Sequence, residues 1–301
     1  MQRKLGLALG LGCVVCAAEF LGGLLTGSLA LLSDAAHVFL HVVALGLSYA
    51  ALRLAGRPPT SRYTYGYHRL QVLAAVANGA MLVALALGIF REAWERLQQP
   101  APILAEPMLA VAAGGLLANL VMAWLLHEHD HDDVNLRSAF FHLLGDILGS
   151  VGAITAGVII LLTGWTLVDA LVSFSIGGLI FVSAAWILKR SLHILAEGVP
   201  EGLSATQVQQ AISQVSGVSE VHDLHVWSLG PGYVALSAHV VLSDRALSES
   251  QSIMEDIKRV LASQFGIHHT TIQFECKNCQ GSVTCLGPWC AVPVSQEDHD
   301  H

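Results

Sequence analysis

Residues 29–52 read LALLSDAAHVFLHVVALGLSYAAL. A bilayer core is crossed by about 20 predominantly apolar residues, and this run is that long, yet it contains Asp34, His37 and His41. The three stand at i, i+3 and i+7. One helix face therefore carries them all, with the two imidazoles four residues apart. A second apolar run, 137–162, repeats the device with His142 and Asp146. An ionisable side chain at the bilayer centre costs roughly 2.5–3.5 kcal/mol for Asp, Lys or Arg on insertion scales, so such residues mark function by default. Two helices that each present two metal-ligating side chains offer four donors, the number tetrahedral zinc takes. A lone histidine in a span is usually a satisfied interior group; two i,i+4 pairs in separate spans fit that description poorly. Asp34 reads as a helix cap, as a group orienting a ligand, or as a group at the cavity mouth.

Composition agrees with a membrane protein. Apolar residues make up 53% of the chain and charged residues 13%, against about 25% charged in an ordinary soluble domain; mean hydropathy is +0.58. The net charge of −8 owes much to acidic clusters at 127–133 and near the C-terminus. No basic stripe points to nucleic acid, and no phosphate-binding loop points to a nucleotide. Six apolar runs can be drawn, over 5–25, 29–52, 70–97, 103–126, 137–162 and 166–188. Arg3 and Lys4 precede a run too long for a cleavable leader, so it reads as the first helix. Basic residues at 3–4, 53–69, 137 and 189–190 fall on one side of the membrane. By the positive-inside rule, both termini and everything after the sixth run face the cytoplasm.

After Ser191 polar residues reach ordinary density. Helices are expected over 204–214, with Ser204 as N-cap, and over 246–264. Strands are expected over 221–229, 232–242 and 269–275, the first two joined at Gly230-Pro231-Gly232. The expected fold is thus membrane α-helical, with six transmembrane helices (1–195), then a small α+β cytoplasmic domain (196–275) and a Cys-rich, acidic tail (276–301). The tract His127-Glu128-His129-Asp130-His131 joins the fourth and fifth runs and reads either as weak metal binding through His127, His129 and His131 or as an acidic solvated loop. Cys276-x-x-Cys279 in a cytosolic setting is more often metal or redox chemistry than a disulfide. Cys13 and Cys16, inside the first run, read as small packing residues. Glu19, Asn78, Asn119 and Asp169 read mostly as hydrogen-bonding groups between helices.

The chain resembles the cation diffusion facilitators, a family of zinc exporters. The resemblance runs from the first apolar run to residue 275. It rests on Gly27-Ser28-Leu29-Ala30-Leu31-Leu32-Ser33-Asp34-Ala35-Ala36-His37, on Tyr65-Gly66-Tyr67-His68-Arg69, on Arg137-Ser138-Ala139-Phe140-Phe141-His142-Leu143-Leu144-Gly145-Asp146, and on Glu197-Gly198-Val199-Pro200 followed by His222-Asp223-Leu224-His225-Val226-Trp227. It implies that His37, His41, His142 and Asp146 form the transport site. It also implies a homodimer, a ferredoxin-like cytoplasmic domain and proton-coupled alternating access. His222 and His239 match positions that bind regulatory zinc in the family, and Glu275 matches a carboxylate ligand; Cys276 and Cys279 resemble a terminal cysteine pair of some eukaryotic members. Gln273 stands where some members have His, which argues against a binuclear site, and Gln71 where an acidic residue is common.

His41 departs from the family, which has Asp there. Three histidines and one aspartate keep four-coordination but raise the charge of the zinc-loaded site from zero to about +1, and imidazole disfavours hard ions such as Mn and Mg. Metal takes neutral His and ionised Asp, so binding releases protons. An unperturbed histidine titrates near pH 6.5, so an acidic exit side favours release. The expectation is efflux of Zn2+ from the cytoplasm in exchange for protons, by a non-enzymatic protein in a bacterial inner membrane. The alternatives are efflux of Co, Ni or Cd, or a membrane-anchored metal sensor without transport. A membrane di-iron oxygenase would need further histidine boxes, which the sequence lacks.

Overall fold

The computed structural model describes the backbone of residues 2–127 and 134–276, with side chains over 12–121 and 145–276. The described residues divide into two compact units. One comprises 1–50 with 74–189; the other comprises 51–73 and the residues from 190 onward.

Six long helices make up the membrane-type part: α1 (Gln2–Thr26), α2 (Leu29–Ala55), α3 (Arg69–Gln98), α4 (Ala105–His127), α5 (Val134–Thr163) and α6 (Leu167–Leu195). Among the described residues, Leu29–Ala55, Arg69–Gln98, Gly145–Thr163 and Leu167–Leu195 are long and apolar enough to cross a membrane, while Gly12–Thr26 and Ala105–Val121 are shorter apolar helices. Large side chains such as Leu25, Leu162, Val182 and Trp186 face outward, whereas Ala30, Ala86, Ala112, Ala156 and Ala184 are fully buried. That inversion is the packing rule of lipid-embedded helices, in which small residues let backbones approach and bulky apolar groups meet the acyl chains. Gly79 receives Leu188 and Gly157 receives Leu109, each so closely that a methyl group would collide.

One cluster ties the start of α2 (Ala30, Leu31) to the start of α4 (Met108, Ala112), the end of α5 (Ala153, Ala156, Ile160) and the start of α6 (Val168). α2 and α5 therefore run antiparallel. At the same end, Asp169 of α6 caps α2. Its carboxylate accepts from the Ser28 hydroxyl at 2.7 Å and from the amides of Leu29 and Ala30 at 2.7 and 3.3 Å, using donors that a helix start leaves without intrahelical partners. Arg96 of α3 lies 3.9 Å from Asp169 and donates to the Gly27 carbonyl.

The second unit holds α7 (Ala205–Ser213), β1 (Val218–Gly230), β2 (Tyr233–Leu242), α8 (Leu247–Phe265) and β3 (His269–Cys276). Ser204 caps α7 by accepting from the Gln207 amide, and Gly266 ends α8 in the left-handed region at φ 66, where glycine has no Cβ penalty. β2 is central, antiparallel to β1 and parallel to β3. Val208 and Ile212 of α7 and Ile253, Ile257 and Leu261 of α8 cover one sheet face through Val226, Leu236, Ala238 and Val240. The opposite face carries His239, Gln273 and Glu275 alongside the buried Ala235 and Val241. Residues 51–73 belong to this unit, with His68 stacked on Tyr233 at 4.0 Å and Arg69 paired with Glu197 at 2.7 Å.

Candidate metal sites

In the helical unit, His37 and His41 project from one face of α2 with ring centroids 6.3 Å apart. Asp34, one turn earlier, lies against Gly149 of α5, so closely that a Cβ there would fall 2.8 Å from its Oδ1. His37 follows Asp34 by one turn on α2, and Asp146 precedes Gly149 by one turn on α5; His41 and position 142 lie a further turn along each helix. Asp146 is buried at 6% exposure and His37 and His41 are half-buried. His142 lies within α5, but its side chain is outside the described residues.

The other buried polar groups largely fill the packing roles expected of them. Asp169 is the cap described above, and Asn119 Nδ2 donates to Ser150 Oγ at 3.5 Å. Cys16 Sγ contacts the Ala35 carbonyl at 3.4 Å, bridging α1 to α2. Glu19 is 1% exposed; one carboxylate oxygen is set against Gly115 of α4 and the other has no hydrogen-bond partner.

On the open sheet face, His222 of β1, His239 of β2 and Glu275 of β3 converge, with one potential ligand atom from each lying within 4.8 Å of the others. Register explains the meeting. His222 is paired with His239 across β1–β2, and Glu275 with Val241 across β2–β3. Glu275 Oε2 is 3.2 Å from His222 Nε2 and Oε1 is 2.8 Å from His239 Nδ1. Gln273 donates to Oε1 at 2.9 Å. Two imidazoles and a carboxylate form a donor set suited to zinc. His222 Nδ1 is buried without a hydrogen-bond partner.

Asp223 was not singled out by sequence reasoning. It stands at φ 49 within a register shift between His222 and His225, and its carboxylate is 3.0 Å from His225 Nε2 and 3.6 Å from His239 Nε2. The signal was present in the sequence. Val221, Leu224 and Val226 all turn to the core, a spacing of three and then two that breaks strand alternation by one residue.

Cys276 closes β3 in disulfide-bonded form, in which its sulfur is not a thiolate donor. Cys279 and the tail beyond, the side chain of His127, and His129 and His131 lie outside the described residues.

A family model for the cation efflux transmembrane domain matches residues 6–196, and one for the cation efflux protein cytoplasmic domain matches 200–277. The metal cation efflux system protein CzcD of Cupriavidus metallidurans is 40% identical over 93% of this chain and 88% of its own length. The zinc transporter ZitB of Escherichia coli is 37% identical over 99% of this chain and 93% of its own. The cadmium, cobalt and zinc/H(+)-K(+) antiporter of Bacillus subtilis is 38% identical over 94% and 91%. Among solved structures, the metal-bound C-terminal domain of the CzcD transporter from Cupriavidus metallidurans matches 24% of this chain and 99% of that one, at 38% identity and a TM-score of 0.23.

Proposed function

This chain belongs to the cation efflux family of multi-pass membrane proteins, and from that premise we propose that it exports Zn2+ from the cytoplasm in exchange for protons. The observation that supports the reading is the close approach of α2 and α5 at Asp34 and Gly149, with His37 one turn along α2 and Asp146 one turn along α5 from that contact. His37, His41, His142 and Asp146 are the four donors for the transported ion. Asp34, against α5 and one turn from His37, orients the site rather than ligating. Alternating exposure of the site carries the ion across. Protons taken by the imidazoles on the acidic side compete with the metal and favour its release. The names of the relatives, covering zinc, cadmium and cobalt, support a divalent transition metal as cargo.

The parts follow the sequence: a six-helix transport region over 1–195, a metal-sensing cytoplasmic domain over 196–275 and a Cys-rich tail over 276–301, in a homodimer with cytoplasmic termini in a bacterial inner membrane. His222, His239 and Glu275 would hold a resident zinc, supplying a fixed positive charge that ties the three strands together. Cys276 and Cys279 could join them only when reduced, and His127, His129 and His131 would sample metal at the cytoplasmic mouth. The sheet cluster taken alone would equally serve a sensor without transport.

Uptake into proteoliposomes with an imposed pH gradient, comparing Zn, Cd, Co, Ni and Mn, tests the proposal. Zinc flux that collapses with the gradient is expected. His41→Asp, which restores the family's residue, should shift preference toward Mn by about tenfold, or about 1.4 kcal/mol. Unchanged selectivity would remove His41 from the ligand set.

A further inference from the structure

Of the two imidazoles in the sheet cluster, one has a group behind it and the other does not. His222 Nδ1 is buried without a partner. His239 stands between two carboxylates, with Nδ1 at 2.8 Å from Glu275 and Nε2 at 3.6 Å from Asp223. A metal held with Glu275 reaches His239 through Nδ1, so the ring's proton must then sit on Nε2, and Asp223 is the acceptor beside it. A metal-bound histidine commonly donates its second N–H to a carboxylate, which fixes its tautomer and orientation.

The backbone is bent to make this possible. In a regular strand Asp223 would point to the face opposite His222. The register shift between His222 and His225 instead leaves His222 and Asp223 both off the core, while Val221 and Leu224 on either side pack into it. Asp223 adopts φ 49 to do so, a left-handed conformation that Asp tolerates better than most residues. Strain of this kind persists where the surroundings over-determine it. His225 Nε2, 3.0 Å from Oδ1, steadies the other carboxylate oxygen. Closing the remaining gap to His239 requires a shift of about 0.5 Å to reach hydrogen-bond distance.

We infer that Asp223 is a positioning residue for the cytoplasmic metal site: lifted onto the ligand face by the β1 bulge, it accepts the Nε2 proton of His239 and presents Nδ1 to the metal. This rests on the reading of His222, His239 and Glu275 as a zinc site.

The test uses the full chain in detergent, in a His37→Ala background that weakens zinc binding at the membrane site. Zinc affinity is measured by chelator competition for the parent and for His239→Ala, Asp223→Gly and Asp223→Asn. Nitrogen-15 NMR of labelled histidine reports which nitrogen of His239 is ligated. Glycine keeps the left-handed backbone and so isolates the carboxylate, and the melting temperature checks the fold. Asp223→Gly should weaken zinc binding 10–100-fold, the range for lost outer partners of metal ligands, and mix Nδ1 and Nε2 ligation; Asp223→Asn, whose carbonyl still accepts, should recover part of both. Affinity for Asp223→Gly within about threefold of the parent, with His239 still ligated solely through Nδ1 and His239→Ala still defective, would overturn the inference and leave the zinc site standing. Parent and His239→Ala that titrate alike would overturn both.

Discussion

The proposed helix site and the proposed sheet site differ in how their residues come together. His37 and His41 are neighbours because 3.6 residues make a turn, so the sequence spacing alone puts them side by side. His222, His239 and Glu275 are far apart in the chain and meet only through the strand pairing of β1, β2 and β3. The former pair survives any fold that keeps α2 helical; the latter triad is lost with a one-residue slip of register, which turns every side chain to the other face. A site of the first kind suits a helix that moves as a body. A site of the second kind depends on the integrity of a sheet.

The variants that would break this contrast are those that fail to separate the two sites. The largest effect should come from His37→Leu, which removes a proposed donor while keeping an apolar helix. Zinc flux in proteoliposomes should fall by more than the roughly 100-fold that marks the upper end for losing an outer partner of a ligand. Zinc bound by the sheet cluster should be unchanged. Equal loss at both would mean that the sites are not independent.

Asp169→Asn should act next most strongly, and on the part of the helix site that is not local. Its carboxylate receives one hydroxyl and two amides from the start of α2 and faces Arg96. Hydrogen bonds to a charged group are worth about 1.5–3 kcal/mol, so stability should fall by an amount of that order, read as a lower thermal unfolding midpoint in detergent, while the zinc affinity of the sheet cluster stays as it was. A variant as stable as the parent would show that α2 is held by its apolar packing alone.

The smallest effect belongs to Ser204→Ala. It removes the side-chain cap of α7 and should cost about 1 kcal/mol of domain stability, visible as a lower denaturant midpoint with an unchanged slope. Zinc affinity that fell by more than that loss implies would mean α7 is coupled to the open sheet face.

These contrasts also explain what the sequence made legible. The six helices and the α-β-β-α-β order were readable because their signals are local, namely apolar run length, the Ser204 cap and the Gly-Pro-Gly turn. The His37/His41 spacing was readable for the same reason. Position 149 carries no chemistry of its own, and only the antiparallel approach of α5 reveals that Gly149 makes room for Asp34. The sequence marks Asp169 as a hydrogen-bonding group, but its partner, the start of α2, is 140 residues away along the chain. Asp223 sat inside a stretch read as a regular strand, although the spacing of Val221, Leu224 and Val226 already marked one residue too many.

The most direct test of the central claim is zinc flux into proteoliposomes under an imposed pH gradient, measured side by side for the parent, Asp146→Ala and His239→Ala. The account predicts gradient-dependent flux in the parent, none above background in Asp146→Ala, and flux that persists in His239→Ala. Undiminished flux in Asp146→Ala would contradict an intramembrane path through that carboxylate, and absence of flux in the parent, with zinc still bound at the sheet, would show a sensor in place of a transporter.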